Sequence, residues 1–162
     1  MPSLATARGF KVAEHAPGLP DRKKFTPLPS VRDASWRFVL HAHKADRAGP
    51  HLDLRLGNPE TGIAHSWAFR GKGLPAPGQR ALVIEQPDHT LAYMKFRGKI
   101  EKGYGKGDVD IAQSGKVNIL DSEPGKIHFR VGGRRYVLLS TPKYRERSWL
   151  LIGLRGKPKK SA

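Results

Sequence analysis

The segment His51-Leu52-Asp53-Leu54-Arg55-Leu56 places an imidazole, a carboxylate and a guanidinium at every second position. Read as a β-strand, it buries Leu52, Leu54 and Leu56 and lines His51, Asp53 and Arg55 along the opposite face, about 7 Å apart. Histidine and aspartate hold divalent ions, and the planar guanidinium fork clamps a phosphate. Upstream, Phe38 to His43 reads as the preceding strand, with Lys44 to Pro50 as its connecting loop. A hairpin there sets His43 close across from His51. Two histidines and one aspartate leave coordination positions open for water and a phosphate oxygen, as a catalytic metal requires. His41 projects to the same face as His43, as a substitute or an extra ligand. The bland alternative is a solvated strand face with an Asp–Arg pair of little worth.

Further along, Asp88-His89 and Tyr93 supply a second polar set. A histidine can protonate a leaving oxygen or stabilise charge on a phosphate, and a tyrosine hydroxyl can hydrogen-bond it. A surface histidine in a turn is the commoner meaning of such a pair. Gly103-Tyr104-Gly105-Lys106-Gly107-Asp108 has the look of a phosphate-cradling loop but matches no P-loop pattern, so a tight turn between strands is expected. His15, His65 and His128 have no companions and are read as structural.

The elements that must position these groups are strands. Phe38, Leu40 and Ala42 alternate with Arg37, Val39, His41 and His43. Further short runs at Ser66–Phe69, Arg80–Glu85, Lys116–Leu120, Lys126–Val131, Arg134–Ser140 and Trp149–Leu154 read the same way. Glycine and proline punctuate them, and Gly132-Gly133 between apolar runs signals a tight hairpin. No stretch keeps a 3.6-residue period. The expected fold is therefore all-β, a small closed or partly open antiparallel β-barrel with little helix. Trp36, Trp67 and Trp149 belong to its core or rim. Residues 1–35, rich in proline and carrying Arg22–Lys24, read as an extended arm. Residues 36–154 read as the barrel, and 155–162 as a solvated basic tail.

At 162 residues the chain makes one domain, and its 30 Lys and Arg against 14 Asp and Glu give a net charge of +16. Such an excess favours polyanions, nucleic acid before anionic membrane. No apolar run nears the ~20 residues of a membrane span, and no signal-peptide core is visible. The chain has no cysteine, which excludes disulfides, thiolate metal sites and cysteine nucleophiles. Any metal must sit on histidine and carboxylate, which suits Mn²⁺, Fe²⁺ or Zn²⁺.

Taken together, Phe38-Val39-Leu40 leading to His43, His51-x-Asp53-x-Arg55-Leu56, Ser66-Trp67-Ala68, Asp88-His89, Tyr93, Gly98-x-Ile100, Tyr104-Gly105-x-Gly107-Asp108-Val109, Arg135-Tyr136-Val137-Leu138 and Trp149-Leu150-Leu151-Ile152 resemble the 3′-phosphoesterase domain of bacterial DNA ligase D, which also occurs as stand-alone proteins. The resemblance implies a Mn²⁺-dependent enzyme with a β-barrel core and a crescent-shaped active-site groove; Co²⁺ or Zn²⁺ are substitute ions. It implies removal of a 3′-terminal ribonucleotide from a primer strand, then of the remaining 3′-phosphate, to give a 3′-hydroxyl in DNA repair. By position, His43, His51 and Asp53 become the metal ligands, Arg55 binds the scissile phosphate, His89 and Tyr93 contact it and assist catalysis, and Arg80 falls near a further phosphate-binding arginine. The implied partners are primer–template nucleic acid and a DNA ligase or polymerase of end joining. A monomer, in a bacterial or archaeal cytoplasm and associated with the nucleoid, is expected.

The sequence departs from that pattern in three places. The loop between His43 and His51 is two residues longer, and His41 replaces a common glutamine. Lys24 and Leu28, in Lys24-Phe25-Thr26-Pro27-Leu28-Pro29, replace two acids with functional roles, which bears on the balance between diesterase and monoesterase steps. The main alternative is a non-catalytic nucleic-acid-binding barrel in an end-joining complex. A hydrolase of small or cyclic phosphate esters is a third, against which the extended positive charge speaks. Alanine at His51 or Asp53 is expected to remove activity and leave the fold intact.

Overall fold

The computed structural model describes residues 24–101 and 106–156, together with the strand backbone of residues 5–7 and 10–13. Arg22, His15, the glycine-rich stretch 103–105 and the basic run 157–160 lie outside the described residues.

Among the described residues eleven strands follow one another: β1 Ala5–Ala7, β2 Phe10–Ala13, β3 Val31–Ala45, β4 Gly49–Asn58, β5 Ile63–Phe69, β6 Arg80–Thr90, β7 Gly98–Ile100, β8 Gly107–Glu123, β9 Lys126–Val131, β10 Arg134–Ser140 and β11 Ser148–Gly153. A single 3-10 turn, Ala92–Lys95, precedes β7, and the described residues hold no α-helix. Hydrogen bonding runs β8-β3-β4-β5-β6-β11-β10-β9, and β9 pairs back with β8, so these strands close a ring. The pairings in the ring are antiparallel, as expected for strands joined by short turns. Closure removes the exposed edges that would otherwise pair with other chains. Among the described residues no helix is long and apolar enough to cross a membrane.

The ring encloses one apolar core. Leu54 and Leu56 of β4, Ile119 of β8, Phe129 of β9, Leu138 of β10 and Leu151 of β11 are fully buried. Each such side chain contributes on the order of 1.5–3 kcal/mol through the water it no longer orders. Trp36, Trp67 and Trp149 are all buried in this core, and Trp67 meets Trp149 edge to face at 5.4 Å.

The alternation predicted for β3 and β4 holds, and the bland alternative of a solvated second face does not. Asp53 and Arg55 are only 3% and 2% exposed. The 3-10 turn and β7 fold over that face and make two small clusters of their own: Tyr93, Phe96, Ile100 and Val109, and Val39, Ala64 and Met94. Gly57 makes this cover feasible, because a Cβ there would stand 2.5 Å from Met94 Sδ. The sheet is thus apolar inside, and on its outer face half covered and half open.

Candidate metal centre and cleft

The β3–β4 hairpin is tighter than the sequence suggests. Pairing continues to Ala45 opposite Gly49, so the turn is Asp46-Arg47-Ala48 rather than the whole of Lys44 to Pro50. Gly49 closes it at φ 77, the left-handed position a three-residue hairpin loop needs. Arg70 pins the turn from β5's end by donating to the carbonyls of Ala48 (2.7 Å) and Pro50 (3.0 Å).

This register sets His43 directly opposite His51, and His41 opposite Asp53. The His43 and His51 rings lie 4.8 Å apart. His43 Nδ1 and His51 Nε2 approach the same Asp53 oxygen, at 3.5 Å and 3.2 Å. The three ligating atoms all lie within 4.8 Å of one another, so this N, N, O donor set is able to hold a divalent ion. His51 donates its Nδ1–H to the carbonyl of Gly49 (3.1 Å), which orients the ring with Nε2 toward Asp53.

Arg55 is the hub of the buried side of the site. Its Nη2 lies 3.4 Å from Asp53 Oδ2, its Nε donates to His41 Nδ1 (3.0 Å), and its Nη1 sits 3.2 Å from His89 Nδ1. The guanidinium carbon lies 4.8 Å from the Tyr93 ring centre. Burial alone would raise the Asp53 pKa, but the Arg55 charge and hydrogen bonds from His43 and His51 outweigh it. The carboxyl is held far below its usual range. Burial lowers His51, yet the hydrogen bond and charge of Asp53 prevail and its pKa is raised overall. His41 and His89 are pushed down to about 3 and about 2, by burial first and then by the Arg55 charge, so both are neutral. Tyr93 is raised, chiefly by burial.

His41 is not free to join the trio. Its Nε2–H donates to the carbonyl of Phe96 (3.0 Å) while Nδ1 accepts from Arg55, so both ring nitrogens are committed.

His89 reaches the cleft through a bulge, not a surface turn. β6 runs on past Glu85 to Thr90, and between Ala64–His89 and Ser66–Gln86 it carries one residue more than β5. Pro87, which has no N–H to offer a ladder, falls in this stretch. Leu82, Ile84 and Gln86 face the cleft; a regular strand would next present Asp88, and the extra residue presents His89 instead. Asp88 turns away and accepts from the Thr26 backbone N–H (3.1 Å), anchoring the segment before β3. His89 Nδ1 lies between the Pro87 carbonyl (2.9 Å) and Arg55 Nη1 (3.2 Å), which holds the ring in place against the cleft.

These groups line a cleft of about 1090 Å³. Arg47, Arg55, Arg70, Lys106 and Arg145 face it against two carboxylates, Asp46 and Asp53. Phe69, Leu82 and Ile84 form an apolar strip along it, with Leu82 40% exposed. Such a cleft suits an anion that carries an apolar or aromatic body. His43, His51, Asp53, Arg55, His89 and Tyr93 are brought together here; Arg80 is exposed at the start of β6 and does not line the cleft. Lys24 is exposed and Leu28 is buried in the barrel core, so neither departure from the family pattern lines it. The sequence reading missed Arg145, Gln86 and Ser66, whose hydroxyl lies 3.5 Å from His89 Nδ1. Ser66 pairs with Arg55 across the sheet, so strand pairing was the signal that could have found it.

Comparison with known proteins places the chain in a family. A family model described as the DNA Ligase D 3′-phosphoesterase domain matches residues 41–144. The multifunctional non-homologous end joining protein LigD of Pseudomonas aeruginosa is 28% identical over 159 residues, covering 91% of this chain and 18% of that protein. Its namesake in Mycolicibacterium smegmatis is 31% identical over 164 residues, covering 81% of this chain and 20% of that protein. The chain therefore spans about a fifth of the length of the curated relatives it matches.

Proposed function

The chain belongs to the 3′-phosphoesterase family of DNA ligase D, and from that premise we propose that it heals 3′ ends of nucleic acid strands in end-joining repair, removing a 3′-terminal ribonucleotide, a 3′-phosphate, or both. The observation that carries this reading is the convergence of His43, His51 and Asp53 within 4.8 Å beside a buried arginine, at the floor of a basic cleft.

In this reading His43, His51 and Asp53 hold Mn²⁺, with Co²⁺ or Zn²⁺ as ions the same donors accept. A bound ion supplies Lewis-acid polarisation of a phosphate oxygen. Arg55 presents a charge already fixed by Asp53 and His41, so it need not reorganise as negative charge builds on the phosphate. Neutral His89 lines the cleft, where its imidazole can hydrogen-bond a phosphate oxygen or an attacking water and hold it in line. Tyr93, with its raised pKa, stays protonated and is a hydrogen-bond donor. The cations at the rim hold the strand in a salt-sensitive way. A ligase or polymerase of end joining would act on the 3′-hydroxyl left behind.

A 5′-labelled primer–template with one 3′-terminal ribonucleotide, and a matching 3′-phosphate primer, test the reading with Mn²⁺, Mg²⁺, Zn²⁺ or EDTA. Metal-dependent shortening to a 3′-phosphate and conversion to a 3′-hydroxyl are expected. Tight binding with neither step would favour the non-catalytic barrel.

A further inference from the structure

Tyr144 is the most exposed large apolar side chain among the described residues, at 74%. It sits in the turn Thr141-Pro142-Lys143-Tyr144-Arg145-Glu146-Arg147 that joins β10 to β11. Three of these seven residues are cationic and one is acidic. The next residue, Arg145, lines the cleft that holds the His43, His51 and Asp53 trio. An aromatic ring standing in water among cations, one residue from a cleft wall, has no packing role to explain it.

The turn that carries the ring is built rather than loose. Ser148, fully buried, places its hydroxyl 2.7 Å from the Thr141 carbonyl and 2.6 Å from that of Arg145. The Thr141 N–H donates to the Ser148 carbonyl (2.8 Å), and the Tyr144 N–H to the Thr141 carbonyl (3.0 Å). Arg147 stands at φ 64, uncommon for a residue with a side chain, and its carbonyl accepts from the Glu85 N–H (2.8 Å). Its guanidinium lies 3.6 Å above the Phe25 ring centre, which ties the turn to the segment before β3. A turn held at both ends presents Tyr144 in one place, so a ligand stacking on it would order little else.

We propose that Tyr144 is a stacking platform for an unpaired nucleobase next to the 3′ end held in the cleft, with Lys143 and Arg145 taking the flanking phosphates. This rests on the reading of the cleft as a nucleic-acid site and adds to it a second subsite. Every base has a π face, so the platform is indifferent to sequence, and a stacked base adds to affinity independently of the metal trio. The chemistry also fits the charge pattern: a ring for the base and cations for the backbone, alternating along one turn.

The test uses the full chain in EDTA and a primer–template ending in a 3′-hydroxyl, so that no turnover enters the measurement. 2-Aminopurine replaces each of the first unpaired bases beside the 3′ end in turn. Wild type, Tyr144→Phe and Tyr144→Trp are expected to bind with similar affinity and to quench the 2-aminopurine at one position. Tyr144→Ala, with an unchanged melting temperature, is expected to bind about tenfold more weakly and to lose the quench. Equal affinity and quenching by Tyr144→Ala would overturn the platform while leaving the cleft chemistry standing, and would point to a protein partner for the exposed ring. Absence of nucleic-acid binding by the wild type in EDTA would overturn the platform, and its absence with Mn²⁺ restored would overturn the cleft reading as well.

Discussion

His41 Nδ1 accepts a hydrogen bond from Arg55 Nε at 3.0 Å, and the same ring donates from Nε2 to the carbonyl of Phe96. The imidazole is thus a wedge between a backbone carbonyl of the covering segment and the guanidinium that faces the cleft. Neutrality is required for this, since a protonated ring would turn a donor toward Arg55. Burial and the Arg55 charge together keep it neutral, with its pKa lowered to about 3. His41 is therefore committed to holding Arg55 and is not a free donor beside His43, His51 and Asp53.

His41→Ala is expected to leave Mn²⁺ affinity close to wild type and to lower kcat about tenfold to a hundredfold, the usual cost of losing a group that orients a site residue. His41→Gln should restore most of it, because a carboxamide oxygen can accept from Arg55 and its NH₂ can donate to Phe96. Calorimetric titration with Mn²⁺ alongside steady-state kinetics separates the two effects. Loss of Mn²⁺ binding in His41→Ala would put the residue back among the ligands.

His51 and Asp53 part company in stability. His51 is half-buried and its removal strands no charge, so His51→Ala should fold normally and bind Mn²⁺ on the order of a hundredfold more weakly. Asp53 compensates the buried Arg55, so the earlier expectation of an intact fold does not extend to it. Asp53→Ala leaves a guanidinium in the interior with no carboxylate, at a cost of about 3–5 kcal/mol. Thermal melts without metal decide this: similar melting temperatures for the two variants would show that Arg55 is solvated by other means.

The hairpin that carries the site was legible because β3 and β4 are neighbours in sequence and side chains alternate. Parity and a glycine near the turn are enough to bring His43 opposite His51. What lies over the hairpin was not legible. Tyr93, Met94 and Phe96 reach Val39 and His41 from about fifty residues away, and no local period records that contact. The face of His89 was hidden for another reason. Alternation predicts Asp88 in the cleft, and only the extra residue around Pro87 reverses it; a proline inside an otherwise regular strand was the signal. Leu28 illustrates the limit of reading by resemblance, since the residue at that position enters the core.

Acid should unfold the protein through histidines buried in neutral form. His65 lies outside the cleft, stacked on Trp36 at 6.0 Å, and burial lowers its pKa. The folded-state pKa is below the unfolded value of about 6.5, so the unfolded chain binds the extra proton. Stability is complete above pH ~6.5 and falls as pH drops below it. His41 and His89 act in the same direction. His65→Phe keeps an aromatic ring against Trp36 and removes one titrating group, so its melting temperature should fall less between pH 7 and pH 5 than that of the wild type. An identical fall in both would mean that His65 ionises freely in the folded state.

Two arginines distinguish the geometry from the resemblance. The resemblance sets Arg80 near a phosphate-binding arginine of the family, yet Arg80 is exposed at the far end of β6 and does not line the cleft. Arg145 does line it, although it lies in a turn with no period to mark it. A lost phosphate contact weakens binding and lowers the slope of log affinity against log salt by about one. Arg145→Ala should therefore raise KM for a primer–template several-fold and reduce that slope, while Arg80→Ala leaves both near wild type. Measuring KM across a salt series for the two variants decides between them. A larger effect from Arg80→Ala would mean that the strand leaves the cleft along β6, past Leu82, and that the rim at Arg145 carries less of the backbone.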